Sequence, residues 1–269
     1  AMTGPEVLKG ATWFDTNWMF VGSFLFPIAL LLPFLPFFWS RPSLQTACRD
    51  ALRSPYVLGW LAVPSYLSHQ MEEHAYDLRG WRYSFVPSFN HSVGALVFKE
   101  CEKLGHLRCP LEPRITSEVN VGAIWFGFAT TMILAHYLRG PYAYAGICNW
   151  GMSVVNALGG HLLPWLIIGY NPGAFQSLFQ TSIGLWIIFT CPGTRSYALI
   201  SLLNGLLFHV VVFGLGTNLI LKLNCPVEVV GLLSYIFAVG PPLAFARAYA
   251  PRDYDKMKEE LEDSDESPA

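Results

Sequence analysis

Charge is what this sequence has least of. Only 13% of its 269 residues are Asp, Glu, Lys or Arg, against roughly 25% in a soluble globular domain. The formal net charge is -2. No basic stripe exists to displace counterions from a phosphate backbone, which excludes nucleic acid as a partner. Sparse charge joined to 53% hydrophobic residues excludes a disordered chain and a solvated coiled coil. Alternating polar and apolar runs are missing, which argues against an outer-membrane barrel. None of the six cysteines forms a C-x-x-C pair. Cys101 and Cys109 can bridge if their loop faces an oxidising compartment, and the spacing leaves that open.

What is present is long apolar runs. A bilayer span needs about 20 mostly apolar residues, and seven stretches qualify: 18–39, 55–76, 118–138, 142–168, 175–191, 197–221 and 227–246. The expected fold is therefore all-α, a polytopic transmembrane bundle of about seven spans. It occupies residues 1–250 as one domain. The first span is longer than the apolar region of a secretory leader and lacks a small-residue cleavage pattern after it. Residues 251–269 carry eight acids against three bases, a composition that predicts a solvated, disordered tail. The long loop after the second span contains an amphipathic stretch, 89–105, suited to lie on the membrane or to lid a cavity. An integral, multi-pass membrane location follows, the endoplasmic reticulum in a eukaryotic cell.

Ionisable groups at a bilayer centre cost at least about 2.5–3.5 kcal/mol each. This chain concentrates them. His69, Glu72, Glu73 and Tyr76 fall within about 100° of one another on an ideal helix, with Ser65 and Tyr66 extending the stripe. Two carboxylates on one wall oppose each other's ionisation, so one is expected to hold a proton near neutral pH, with His69 to tune or reload it. That predicts acid/base catalysis by Glu72, Glu73 and His69, with Glu118 as a candidate for the closing deprotonation. The substrate must be lipophilic, terpenoid- or sterol-like. The reaction class is a cyclase or isomerase needing no cofactor. Tyr66, Tyr76, Asn149, Asn156 and His161 are the candidate substrate-binding residues. Trp60, Tyr66, Trp125 and Trp150 are candidates to shield a developing cation.

Two alternatives use the same residues. His69, Glu73, His161 and His209 offer a mixed nitrogen and oxygen set for zinc or iron, which implies a metal-dependent hydrolase or oxidase. A transporter or non-catalytic lipid binder is the other. The pairs Asn156…His161 and Asn204…His209 share one spacing. On an unbroken helix that spacing turns two side chains about 140° apart. Asn156 and His161 share a cavity only if Gly159, Gly160 and Pro164 loosen the helix. The segment Gly169 to Gly173 reads as a connecting turn.

His69-x-x-Glu72-Glu73, with Asn156…His161 and Tyr170-Asn171-Pro172-Gly173 downstream, resembles the HXXEE family of small multi-span membrane proteins. The resemblance covers residues 69–173. It implies a metal-dependent role and marks His69, Glu72, Glu73, Asn156 and His161. In size, helix count and acids within the bundle the chain is also similar to the membrane-bound terpene cyclases of fungi. That likeness implies protonation of an alkene or epoxide.

Overall fold

A computed structural model describes residues 7–106, 109–191 and 195–251. The expected acidic tail falls, but for residue 251, outside the described residues. Among the described residues the regular structure is helical throughout, as the absence of alternating patterns requires. Five runs are long and apolar enough to cross a bilayer: α1, Trp13–Ser40; α3, Pro113–Leu138; α4, Gly140–Ile168; α6, Ala198–Leu223; and α7, Val227–Tyr249. The chain is a multi-pass membrane protein. The other two expected spans are also helical. One is Pro55–Trp60 followed by α2, Ala62–Gln70, which runs on into a π-helix at Met71–Ala75. The other is α5, Ala174–Thr190, of 17 residues. The first is broken at Leu61 and polar at its end, and the second is short. Neither meets the length and apolarity that the five meet.

Lipid-facing residues ring the bundle. Leu166 is 83% exposed, Ile167 80% and Phe24 77%, as expected where hydrocarbon and not water is the solvent. The centre belongs to α4, whose Ile147, Cys148, Asn149 and Trp150 are fully buried. Small residues let α6 close on it. A Cβ on Gly151 would overlap the Ser201 carbonyl, and one on Gly205 would overlap the Gly151 carbonyl. Close backbone approach of this kind replaces the hydrophobic driving force that lipid removes.

The loop after α2 is folded. Asp77 organises its start, accepting from the Arg79 and Trp81 amides at 2.9 Å each and from the Arg79 guanidinium at 2.6 Å. Short helical pieces at Phe85–Phe89, Asn90–Gly94, Ala95–Val97 and Cys101–Leu104 follow. The amphipathic stretch is therefore broken, but its apolar side stays outward: Leu96 is 75% exposed and Leu104 68%. Cys101 and Cys109 are disulfide-bonded.

Candidate metal centre

The site forms where α2 gives way to the π-helix Met71–Ala75. His69 and Glu73 stand one turn apart and face inward, His69 fully buried and Glu73 4% exposed. Glu73 Oε1 lies 3.4 Å from His69 Nε2 and 3.0 Å from His161 Nε2. Its other oxygen lies 3.4 Å from His74 Nε2. One donor atom from each of His69, Glu73 and His161 falls within 4.8 Å of the others. In a tetrahedral site with bonds of about 2.0–2.1 Å, neighbouring ligand atoms stand about 3.3 Å apart. The edges of 3.4 and 3.0 Å bracket that value.

His161 reaches this position through a second π-helix, Ala157–Leu162. Bonding from i to i+5 widens the turn and stacks residues five apart. Asn156 and His161 therefore both reach His69, which an unbroken α-helix would not allow at that spacing. Asn156 then bridges outward, with Nδ2 3.3 Å from His69 Nε2 and Oδ1 3.4 Å from His209 Nε2. His209 is thus a neighbour of the three-residue group and no member of it.

The chemistry at His161 is constrained. Its Nδ1 sits 2.8 Å from the Pro172 carbonyl, which can only accept, so Nδ1 carries the hydrogen. In the neutral ring Nε2 is then a bare acceptor. It faces a carboxylate oxygen, another acceptor, at 3.0 Å, and makes no hydrogen bond. Two acceptors in this contact need a positive centre between them, a proton or a metal ion.

Glu72 turns away. It accepts from the Tyr170 hydroxyl at 2.9 Å and from the Phe175 and Gln176 amides at 3.2 and 2.7 Å. These amides open α5, so Glu72 caps the positive end of that helix. The two carboxylates do not share a wall, and the mutual repulsion expected from their adjacency is absent. The cause is the π turn together with the left-handed Gly173, φ +90°, which swings the start of α5 up to Glu72. Burial and the Glu72 carboxylate hold the Tyr170 phenol above its ordinary value, so it stays a donor.

The turn at 169–173 does more than connect. Tyr170 binds Glu72, the Asn171 amide donates to the Gly160 carbonyl at 2.7 Å, and Pro172 orients His161. A Cβ on Gly173 would stand 2.7 Å from the His161 ring and 2.8 Å from Glu73 Cγ. Sequence reasoning passed over Tyr170, Pro172 and His74 as site residues. The Tyr-x-Pro-Gly string was the available signal.

The remaining expected residues divide. Tyr66 stands edge-on to His69, ring centres 5.5 Å apart. It lines a cavity of about 30 Å³ with Glu73, His74 and Asn156 on the polar side and Phe85, Ile115 and Phe213 on the other. That volume admits a water or two. Phe85 comes from the loop, ahead of the stretch 89–105 expected to lid a cavity. Tyr76 points out, 57% exposed. Asn149 is buried two turns from Asn156 on the same face of α4. Glu118 faces α7, where a Cβ on Gly231 would meet its Oε2 at 2.8 Å, while Ile115, Thr116 and Val119 of the same helix line the cavity. Three indoles serve packing: Trp60 donates to the Ala29 carbonyl, Trp150 to that of Leu58, and Trp125 to Gln70. Of the four aromatics expected to shield a cation, only Tyr66 borders the cavity.

No family model, curated protein or solved structure matches the chain.

Proposed function

We propose that this chain is a membrane-embedded, metal-dependent enzyme that activates water against a lipophilic substrate, with His69, Glu73 and His161 holding the metal. The observation that carries this reading is the contact of His161 Nε2 with Glu73 Oε1, two acceptors 3.0 Å apart and buried. The donor set, two imidazoles and a carboxylate with outer partners on His161, suits zinc or iron. Such an ion, when bound, polarises a carbonyl and lowers the pKa of its water. The protein's own share is distinct. Glu73 divides its oxygens between the ligand group and His74. Pro172 fixes the His161 tautomer, and the Asn156 amide donates to His69 Nε2 only while that nitrogen holds no ion. The cavity beside Glu73 has room for the water that a hydrolysis consumes. It is far below the roughly 300 Å³ of a pocket that encloses a drug-sized ligand. A hydrolysis needs only the reacting group of the lipid to enter, whereas a cyclisation needs the whole chain folded inside.

The HXXEE resemblance points the same way, since its His69, Glu72, Glu73, His161 and Tyr170–Gly173 turn all meet in one assembly. The bond between Cys101 and Cys109 fits an oxidising compartment, such as the lumen of the endoplasmic reticulum.

One observation favours a second reading. His161, Glu73, His69, Asn156 and His209 form a continuous chain of contacts, and a proton in place of the ion would make it a relay for acid/base catalysis of the isomerase or cyclase kind. Elemental analysis decides. The protein purified in detergent without chelator is expected to hold about one zinc or iron ion per chain, and Glu73→Gln and His161→Ala close to none. Wild-type protein that stays metal-free after incubation with both ions overturns the metal reading in favour of the relay.

A further inference from the structure

Several buried polar groups outside the metal cluster share one helix face. On α5 the residues Ser177, Gln180, Thr181 and Gly184 follow Gly173 at four, seven, eight and eleven positions, one face of the helix. Both ends of that face are pinned to α4. Gly173 abuts His161 and Glu73, and a Cβ on Gly184 would meet Val154 and Trp150. Ser177, Gln180 and Thr181 therefore lie against the stretch of α4 between Val154 and His161, which contains the π-helix Ala157–Leu162. All three are at least nine-tenths buried. Ser177 Oγ, Thr181 Oγ1 and both amide atoms of Gln180 have no hydrogen-bond partner. Asn149, fully buried on α4, adds two more unpartnered atoms.

A buried polar atom left without a partner loses its hydration and gains nothing. Six of them in one bundle cannot stay dry. The groups are all neutral, and among them they offer donors and acceptors, which is the requirement of water and not of an ion. The π turn opposite leaves backbone carbonyls outside the regular ladder. At the far end Ile187 and Ile188, both fully buried, close the stripe with apolar side chains. At the near end Gly173 abuts His161.

We infer that the seam between α4 and α5 is a closed hydration site, a file of bound waters held by Ser177, Gln180 and Thr181 that ends against the His161 cluster. Its use as the water source of hydrolysis rests on the metal reading. Its hydration does not.

Short-pulse X-ray hydroxyl-radical footprinting of the full chain in lipid nanodiscs tests this, because it marks buried side chains that touch ordered water. Trp150 and Met132 are both fully buried. Trp150 borders the seam, whereas Met132 packs against Gly146. After correction for intrinsic reactivity, Trp150 is expected to label at least tenfold faster than Met132. Gln180→Met, a size-matched apolar change, is expected to cut Trp150 labelling severalfold and to lower the unfolding temperature by several degrees. Equal labelling of Trp150 and Met132 overturns the inference. So does a higher unfolding temperature in Gln180→Met, the response of a dry interior freed of an unpaired amide. Should Gln180→Met not fold, the wild-type ratio decides alone. Metal content read on the same sample separates the two proposals: labelled Trp150 in metal-free protein removes the metal and keeps the water.

Discussion

Two stretches of the bundle carry the same spacing, Asn-x4-His, and put it to different uses. In α4 the π-helix Ala157–Leu162 starts directly after Asn156, so Asn156 and His161 both turn to His69. In α6 the π-helix Val210–Gly216 starts only after His209. Asn204 and His209 stay about 140° apart, as α-helical geometry demands. Asn204 donates to the Cys148 carbonyl at 3.3 Å, and His209 reaches Asn156 from outside. The spacing is identical and the role is set by where the backbone widens. Four π-helices, at residues 71–75, 121–128, 157–162 and 210–216, lie in the helices that surround the site. Each re-aims the side chains around it.

The comparison is sharpest in the two histidines. His161→Ala removes a ligand, and metal binding is expected to fall below detection in competition with a chromogenic chelator. His209→Ala removes only the outer neighbour of Asn156. Its affinity is expected to drop by less than the roughly 10- to 100-fold that losing a ligand's own partner costs. Equal losses would break the distinction between the two stretches.

Gly173→Ala attacks the same difference from the turn that orients His161. The new Cβ meets His161 and Glu73 at under 3 Å, and the φ of +90° is strained for any L side chain. A loss of about 1–3 kcal/mol of stability is expected in thermal unfolding, with metal content falling alongside. No comparable turn acts on His209, so alanine at Gly214, which meets nothing within 4 Å, is the matched control and should change metal content little.

Glu72→Gln tests the parting of the two acids. A neutral cap costs α5 about 1–2 kcal/mol, read as a lower unfolding temperature, while most of the metal stays bound. Glu73→Gln is expected to do the reverse, losing the metal at smaller cost to the helix. If Glu72→Gln empties the site as completely as Glu73→Gln, the cap is a misreading of Glu72.

These contrasts mark what the sequence could carry. Long apolar runs predicted the five spanning helices to within five residues at either end, because bilayer thickness imposes their length. The stripe through His69 and Glu73 was visible because an i, i+4 pair shares a face in any helix of ordinary pitch. The rest depended on backbone register. Nothing in Asn156…His161 declares that the helix widens there, and Gly159 and Gly160 only permit it. Glu72 was grouped with Glu73 since they are adjacent. Its true partners, the amides of Phe175 and Gln176, lie over 100 residues away and come near only through the left-handed Gly173. Glu118 was included for its charge, yet helical phase turns it to Gly231 while its neighbours line the cavity.

The smallest expected effect lies at the rim. Asp77 ends the segment that carries Glu73. Burial opposes ionisation of its carboxyl, but the Trp81 amide, the Arg79 side chain and the Arg79 amide outweigh it and hold the pKa below the ordinary range. A carboxyl that binds its proton more weakly when folded stabilises the fold at every pH above its unfolded value, about 3.9. That contribution fades as the pH falls through the lower, folded value. Thermal unfolding from pH 6 down to pH 3 should therefore show wild type losing its margin over Asp77→Asn at the acid end, where both curves converge. Because the Leu78 amide donates to the Tyr170 hydroxyl at 3.1 Å, loosening this loop reaches the Glu72 cap first and the metal ligands only through it. Metal content should fall earlier on the same titration, because imidazole ligands take up protons at about pH 6.5, above the range in which the Asp77 carboxyl titrates.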